Sequence, residues 1–451
     1  MKKKLTGRES IFVSSMLFGL FFGAGNLIFP VSMGQNAGSH SWIATIGFCI
    51  TAVGLPVLGI ASLAASRSES LFHMGSLVGK FFAYAYTLAL YLTIGPFFAI
   101  PRTATVSFQV GVAPLLGDNN RGLALSIFSL LFFAIVLFFS LKPNRILDWV
   151  GKILNPLFLT VLAILVITAL LNPMGDIAQI QPQGAYASHA FFTGLLEGYN
   201  TMDALASLAF GVILVDVIRG LGVKEPSNTA FSAIKSGIYA GVLMIVIYLV
   251  LTLMGAQSGA LFGVSEDGGV ALFAIANHYF GTFGGILLGA IITLACLKTS
   301  IGLITSISTT FTELFPKSVN YKVYAIAFTV ISFLIANAGL NAIITVSVPV
   351  LMFLYPLTIM LMVLGLLGKF FSYRRSVFVV SMIFTAVAAG ISLLASLVKA
   401  LGAILPVINP VYEAVHVIET ALPLSSIGLG WVIPAIIGVV IGLCMKSKSA
   451  R

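Results

Sequence analysis

Long apolar stretches recur through the whole chain, and they restrict its fold more than any other feature. Each is about 20 residues long, the length that a helix needs to cross roughly 30 Å of hydrocarbon. Because hydrocarbon offers the backbone no hydrogen-bond partners, apolar segments of this length are stable there as α-helices. The sequence therefore predicts an all-α polytopic membrane protein with 12 transmembrane helices, at about 10–33, 42–65, 78–101, 122–141, 150–171, 191–218, 229–256, 283–311, 321–338, 341–367, 377–400 and 427–445.

The charges are few and unevenly distributed. Only 8% of the residues are charged and 59% are hydrophobic, whereas a soluble domain has roughly 25% charged residues. A net charge of +10 would suggest nucleic-acid binding in a soluble chain, but here the basic residues lie in short connections between segments. All but Arg102, Arg121, Lys298 and Lys399 of the 24 Lys and Arg fall on one side. The positive-inside rule then predicts that both termini are cytoplasmic, with no nucleic-acid partner.

The residues that usually carry enzyme chemistry form no constellation. The five histidines are scattered through connections without metal-ligand spacing, and the three cysteines lie in separate apolar segments. We therefore predict no catalytic residues, no resident metal and no cofactor. The basic Met1 to Lys4 is followed by an apolar run without a small-residue cleavage site, so the first segment is expected to be retained rather than removed as a signal peptide.

The first segment contains an interruption at Phe18 to Pro30, FGLFFGAGNLIFP, where three glycines, an asparagine and a proline break an otherwise apolar helix. A broken helix is tolerated in a membrane only where it packs in protein or lines a polar cavity. Gly23, Ala24, Gly25 and Asn26 are therefore candidate binding residues, because glycine lets a ligand approach the backbone and Asn26 adds an amide. The alternative is a GxxxG-like packing patch.

A second interruption follows five segments later, at Gly198-Tyr199-Asn200-Thr201 with Asp203. An odd separation makes segment six cross in the opposite direction to segment one, as an inverted repeat requires. Paired interruptions of this kind are the best sequence indication of a transporter site. We predict a first five-helix repeat at 1–171, an inverted second repeat at 191–367, and two accessory helices at 377–445.

Unwound helix centres suit a zwitterion. Half-helix N-termini attract a carboxylate, and freed carbonyls attract a sodium ion or an ammonium group. An α-amino acid carries both charges, and neighbouring apolar residues favour an aliphatic side chain. The predicted substrate-binding residues are Phe22, Gly23, Ala24, Gly25, Asn26, Gly198, Tyr199, Asn200 and Thr201.

Several long motifs resemble one known family. They are GLFFGAGNLIFP, GPFFAIPRTATVSFQVG, EGYNTMDALASLAFG, ACLKTSIGL and SVPVLMFLYP, and they extend over essentially the whole chain. The chain resembles the bacterial branched-chain amino acid:cation symporters, the BrnQ-type or LIVCS family. The resemblance implies sodium-coupled uptake of leucine, isoleucine and valine across the bacterial plasma membrane. It also implies the leucine-transporter fold, with an inverted repeat of five plus five helices.

The resemblance further implies two cation sites. Backbone carbonyls near Gly19 and Phe22, with hydroxyls of segment eight, would form one, and the Phe21 carbonyl with the Asn26 side chain would form the other. On segment eight the matching positions are Lys298 and Thr299, or Thr299 and Ser300 after a one-residue shift. Gln109 stands where the family's pattern leads us to expect glutamate, so no carboxylate role is assigned there.

Lys298 and Asp203 are charges within predicted segments, and such residues are expected to be functional. The Lys298 ammonium could replace a sodium ion, titrate and couple transport to protons, or pair with Asp203 or Glu197. Asp203 could instead cap the second half-helix. Arg102 could meet a carboxylate in the external vestibule, but the favoured interpretation is an anchor at the external end of segment three. The longer external connections, 172–190, 257–282 and 401–427, are candidate lids.

The function predicted from these observations is import of branched-chain amino acids with a cation by alternating access. Na⁺ is the favoured coupling ion, and H⁺ acting through Lys298 is the alternative. A sensor that binds amino acids without transporting them, or a channel with a continuous polar pore, would also be polytopic. Apart from substrate, coupling ion and lipid bilayer, no obligatory protein partner is inferred.

Overall fold

The computed structural model describes residues 4–68, 70–116, 120–141, 155–404 and 409–445, and regular structure in these ranges is almost entirely helical. The helices are α1 Gly7–Phe21, α2 Ala24–Ala37, α3 Ser41–Cys49, α4 Leu55–Ala65, α5 Leu71–Ser76, α6 Lys80–Leu92, α7 Ala99–Gly111, α8 Arg121–Ser140, α9 Asn155–Leu171, α10 Tyr186–Glu197, α11 Asp203–Gly220, α12 Pro226–Phe262, α13 Gly268–Leu314, α14 Tyr321–Ala336, α15 Leu340–Leu367, α16 Arg375–Ile404, α17 Asn409–Ala421 and α18 Val432–Cys444.

Within the described residues, seven helical stretches are long and apolar enough to cross a membrane. Three shorter apolar helices accompany them, at Pro156–Leu171, Tyr321–Ala336 and Val432–Cys444. The predicted all-helical membrane architecture is confirmed, while the number of twelve crossings stays a prediction. Residues 150–154, the predicted beginning of segment five, lie outside the described ranges.

The start of the first helix follows from its sequence. The Thr6 hydroxyl accepts a hydrogen bond from the Glu9 backbone N–H at 3.3 Å, and the Glu9 carboxylate accepts one from the Thr6 N–H at 2.9 Å. This capping box satisfies two of the N–H groups that a helix leaves unpaired at its N-terminus. The apolar residues from Val13 onward are then buried in the bundle.

The third predicted segment was wrong at its end. A π-helical turn at Thr93–Phe97 joins α6 to α7, and α7 continues past residue 101 and ends at Gly111. Pro96 has no N–H to donate and Gly95 takes a non-helical backbone conformation (φ −92°, ψ −126°), so the wide turn absorbs both residues without ending the span. The interpretation of Arg102 as an external anchor is also wrong, because Arg102 lies inside this longer helix and is buried.

The predicted external connection 172–190 includes the beginning of α10 at Tyr186, and the other two also contain helices. The first turn of α13 lies inside the predicted connection 257–282, and Asp267 caps it by accepting the N–H groups of Gly269 and Val270 at 2.7 and 3.0 Å. A kink at Gly281 (φ 63°) then separates this external part from the spanning part. The second is α17, inside the predicted connection 401–427.

Close helix contacts hold the interrupted segments against their neighbours. A Cβ atom on Gly34 of α2 would lie 2.1 Å from the Thr252 carbonyl oxygen of α12, and one on Gly255 would lie 2.2 Å from the Val31 carbonyl oxygen. Paired glycines of this kind let two helix backbones approach directly, which is how membrane helices gain packing energy. The α2–α12 contact therefore fixes α2 beside the helix that carries Tyr248.

Candidate functional site

The first interruption is present and narrow. Helix α1 ends at Phe21, Phe22 and Gly23 are extended, and α2 begins at Ala24. Asn26 causes the restart, because its Oδ1 accepts the Gly23 backbone N–H at 2.8 Å. The unwound part is thus shorter than the predicted Gly23 to Asn26, since the side chain of Asn26 caps the helix to which it belongs.

The second interruption is a 3₁₀ turn at Gly198–Thr201, followed by Met202 in the left-handed region (φ 62°), before α11 begins at Asp203. The Thr201 hydroxyl accepts the Asp203 backbone N–H at 3.4 Å. The interpretation of Asp203 as the N-terminal cap is wrong, because Met202 occupies that position and the Asp203 carboxylate makes other contacts. Its carboxyl group still lies in the first turn of α11, the end of a helix at which acidic side chains are favoured.

Asn26 and Asp203 join the two interruptions in the interior. Asn26 Nδ2 donates to Asp203 Oδ2 at 2.5 Å and to the Tyr248 hydroxyl oxygen at 2.5 Å. The side chains of Asn26 and Asp203 are each 2% exposed. Neither interruption faces lipid, and the predicted approach of the two unwound segments is confirmed.

Arg102 makes a second link between the interruptions. Its Nη2 donates to the Asn200 carbonyl oxygen at 2.7 Å, and its guanidinium lies 5.0 Å from the ring centre of Phe29. A Cβ atom on Gly25 would lie 3.1 Å from the same Nη2. The Asn200 carbonyl, left free by the 3₁₀ turn, is therefore occupied by a side chain of α7.

A small cavity lies between the two interruptions. Its volume is about 40 Å³, and a water molecule needs roughly 10 to 15 Å³ measured in this way. The cavity has room for waters or an ion but not for a branched-chain amino acid, so this conformation is closed around its site. The lining residues are Leu20, Phe21, Gly23, Ala24, Gly25, Asn26, Ile94, Ala99, Arg102, Thr103, Thr201, Met202, Asp203, Ala206, Phe210, Thr299 and Leu303.

Four of the predicted substrate residues, Phe22, Gly198, Tyr199 and Asn200, do not line this cavity. Tyr199 stacks on Tyr355 with ring centres 4.0 Å apart, and Phe22 stacks on Phe18 at 4.8 Å. A Cβ atom on Gly198 would lie 2.0 Å from the Thr51 hydroxyl oxygen, so this glycine packs against the end of α3 and the π-helical turn Ile50–Gly54 that follows it. Their roles in binding stay predictions.

The predicted cation residues of α13 point in different directions. A Cβ atom on Gly23 would lie 3.3 Å from the Thr299 hydroxyl oxygen, so Thr299 contacts the first interruption. The Ser300 hydroxyl lies 2.5 Å from that of Thr103 on α7. Lys298 is 5% exposed, in the interior of the bundle. Thr299 is therefore the hydroxyl nearest the unwound backbone, while Gly19 lies one turn earlier on buried α1.

Sequence reasoning missed two residues of the site, Arg102 and Tyr248. Tyr248 is the one aromatic residue in the apolar run IVIYLVLTL, and an aromatic hydroxyl within a span was the available signal. Arg102 was identified as a charge but placed at the wrong depth, because the span was ended at Pro101.

Residues 6–449 match the family model described as "Branched-chain amino acid transport protein". The chain is 48% identical over 435 residues to the branched-chain amino acid permease BrnQ of Lactobacillus delbrueckii subsp. lactis, covering 96% of each chain. It is 43% identical over 446 residues to BrnQ of Bacillus subtilis (strain 168), covering 99% of this chain and 98% of that one. The chain belongs to the branched-chain amino acid transport protein family. Its membership confirms the family predicted from the motifs, which consists of membrane transporters and not of enzymes.

Solved structures show the fold of this family member. Mhp1, a nucleobase-cation-symport-1 family transporter, superposes with a TM-score of 0.62 at 16% identity, over 96% of this chain and 91% of that one. MhsT in complex with L-phenylalanine superposes with a TM-score of 0.57 at 16% identity, over 98% and 99% of the two chains. The leucine-transporter-like fold predicted for the chain is thereby confirmed.

Proposed function

We propose that this transporter imports leucine, isoleucine and valine across the bacterial plasma membrane together with a cation, most simply Na⁺. The observation that carries the proposal is the pair of buried interruptions, joined by Asn26 and Asp203, that line one cavity. The two BrnQ relatives also support the proposal, because both are named branched-chain amino acid permeases. The repeats at 1–171 and 191–367, with the accessory helices at 377–445, are part of this proposal.

The side chains that line the cavity are complementary to an aliphatic amino acid. One part is polar, with the Asn26 amide, the Asp203 carboxylate and the Thr201 hydroxyl. Another part is lined by apolar side chains, namely Leu20, Phe21, Ile94, Phe210 and Leu303. Charged groups of a substrate would meet hydrogen-bonding partners, and a branched side chain would gain free energy by leaving water.

Transport requires this closed cavity to open alternately to each side. Because it is too small for leucine, the helices around the Asn26–Asp203 contact must separate as the substrate enters. Separation at one face and closure at the other, around a fixed site, is alternating access. Both termini are placed in the cytoplasm in this proposal, by the distribution of Lys and Arg.

Sodium coupling is supported by the hydroxyl and carbonyl oxygens near the first interruption. Sodium is a hard cation that binds oxygen ligands, and the Thr299 hydroxyl lies against Gly23. Gly23 directly follows Phe22, whose carbonyl the family resemblance assigns to the ion together with that of Gly19. The alternative, coupling to H⁺, is supported by the burial of Lys298 beside Thr299. The sodium and proton hypotheses predict different effects when Thr299 or Lys298 is substituted.

We expect Thr299→Ala to raise the sodium concentration for half-maximal leucine uptake by about tenfold or more, because the ion loses one oxygen ligand, comparable to the loss of a charge-assisted hydrogen bond. Uptake is measured in proteoliposomes with imposed sodium or proton gradients. Thr293→Ala is the matched control, since its hydroxyl bonds the Gly289 carbonyl at 2.7 Å on the same helix, away from the cavity. It should leave the sodium dependence unchanged.

Lys298→Ala separates the two ions in the same assay. Under sodium coupling by Thr299, a sodium gradient still drives uptake in the variant. Under proton coupling by Lys298, the variant no longer responds to a proton gradient but still exchanges labelled leucine. Uptake in the wild-type protein that neither gradient stimulates would contradict coupled transport altogether.

A further inference from the structure

Arg102 places a full positive charge in the interior of the bundle. It lies in the first turn of α7, is 3% exposed, and lines the cavity between the interruptions. A charged residue inside a membrane protein is costly, and residues of this kind generally serve a site. Its contacts indicate which ligand it serves.

The guanidinium is held in place from one side. Nη2 donates to the Asn200 carbonyl oxygen at 2.7 Å, and the Phe29 ring lies 5.0 Å from the guanidinium carbon. These contacts attach Arg102 to the second interruption and to α2 at once, and the cation–π contact offsets part of the lost hydration. The orientation of the planar group is therefore fixed before a ligand arrives.

The other terminal nitrogen, Nη1, is not held in this way by any described residue. Nη1 is buried, and among the described residues no acceptor lies within hydrogen-bond distance of it. Buried N–H groups are almost always paired in native proteins, so an exception in a cavity wall needs an explanation. Among the described residues, the Asp203 carboxyl group is hydrogen-bonded by the side chains of Asn26, Thr201 and Tyr248 and not by Arg102, so Asp203 does not supply that acceptor.

A carboxylate is the ligand that fits this nitrogen. The guanidinium fork matches the two oxygens of a carboxylate better than any other common group. The same cavity is also lined by the acidic side chain of Asp203, in the first turn of α11. A zwitterion in the cavity would then find a positive group for its carboxylate and a negative group for its ammonium.

We propose that Arg102 binds the α-carboxylate of the transported amino acid through Nη1, while Nη2 stays on the Asn200 carbonyl. The proposal rests on the function proposed above and specifies its substrate class as compounds with a free carboxylate. It also gives a reason for glycine at position 25, where a Cβ atom would lie 3.1 Å from Nη2 and displace the guanidinium.

The test is equilibrium binding to the purified full-length protein, with leucine, leucinamide and 4-methylpentanoate as probes. Leucinamide lacks the carboxylate, and 4-methylpentanoate lacks the ammonium group. In the wild-type protein we expect leucine to bind at least about 30-fold more tightly than leucinamide. Arg102→Gln should weaken leucine binding by about the same factor, because a buried charge-assisted contact is lost. Its affinity for leucinamide should change little, so the preference for the carboxylate disappears.

Two further variants test the inference if Arg102→Gln does not fold. Arg102→Lys keeps the charge but loses the planar fork, and should retain part of the preference. Gly25→Ala keeps Arg102 itself and should weaken leucine binding by displacing the guanidinium. Each variant is first checked by its size-exclusion profile, and the inference is decided on those that remain monodisperse.

The outcomes separate this inference from the proposed function. If wild-type protein binds leucine and the folded variants keep its preference over leucinamide, Arg102 does not bind the carboxylate and the transport proposal stands. If wild-type protein binds 4-methylpentanoate but not leucine, and Arg102→Gln abolishes that binding, the carboxylate role holds and the amino acid substrate is wrong. If wild-type protein binds neither carboxylate, both proposals are overturned.

Discussion

Replacing Asn26 by leucine is expected to reduce leucine transport by roughly 100-fold or more, although the two side chains are similar in size. The substitution removes the acceptor of the Gly23 N–H and the donor to Asp203. Both partners stay buried, and each buried polar group left unpaired costs about 1 to 3 kcal/mol, more when it is charged. The first interruption then loses its cap and its link to the second. Initial rates of uptake in proteoliposomes measure the effect.

Asn36→Leu is the matched control for this prediction. Asn36 lies on the same helix, ten positions later, and its side chain bonds only the Ser32 carbonyl, at 2.8 Å, among the described contacts. The exchange of residue types is identical, but no contact between the interruptions is affected, so we expect nearly normal uptake. Equal loss in the two variants would show that leucine on α2 damages the fold and that the Asn26 contacts are not specifically required.

Adding one methyl group at Gly255 is expected to destabilise the protein strongly. In Gly255→Ala the new Cβ would lie 2.2 Å from the Val31 carbonyl oxygen, and a backbone atom cannot rotate away as a side chain can. Helices α2 and α12 must move apart, and overpacking of this kind costs about 1 to 3 kcal/mol, occasionally more. The contact between Tyr248 and Asn26 would be lengthened as well. The thermal midpoint in detergent should fall by several degrees, with a parallel loss of leucine binding.

Gly390→Ala is the control for that result. Gly390 also lies in the interior of a long helix, α16, but a Cβ atom there would meet nothing within 4 Å. Alanine is favoured over glycine in a helix by up to about 1 kcal/mol, so the thermal midpoint should stay the same or rise. A fall of equal size in both variants would contradict the close-contact explanation.

The sequence was sufficient to predict the interruptions, because their causes are local. Gly23 and Asn26 act on their own helix, and Gly198 to Thr201 interrupt the other helix from within its own sequence. Pro30 lies inside α2 and does not end it. The capping role of Asn26 was not predicted. It depends on one side-chain rotamer, and that rotamer shortens the unwound part to Phe22 and Gly23.

Residues whose direction depends on distant packing could not be predicted. Gly198 lies against Thr51 and Tyr199 against Tyr355, and both partners are far away in the sequence. The depth of Arg102 was wrong because the third segment was ended at residue 101, whereas the helix after the π-helical turn at Thr93–Phe97 continues to Gly111. The spacing of residues in the sequence predicts neither the contacts of Gly198 and Tyr199 nor the depth of Arg102, because both depend on how the helices pack in the bundle.

The central claim is that a branched-chain amino acid occupies the cavity between the two interruptions, and substrate protection of a cysteine tests it most directly. Thr201→Cys places a thiol in the cavity wall, in a protein whose native Cys49, Cys296 and Cys444 are replaced by serine. Arg67→Cys, in the wall of a separate cavity lined also by Arg219 and Lys369, serves as the comparison. We predict that saturating leucine with sodium slows alkylation of Thr201→Cys in proteoliposomes, that lysine does not, and that Arg67→Cys reacts at the same rate throughout. Unchanged alkylation of a transport-active Thr201→Cys protein in saturating leucine would contradict the account.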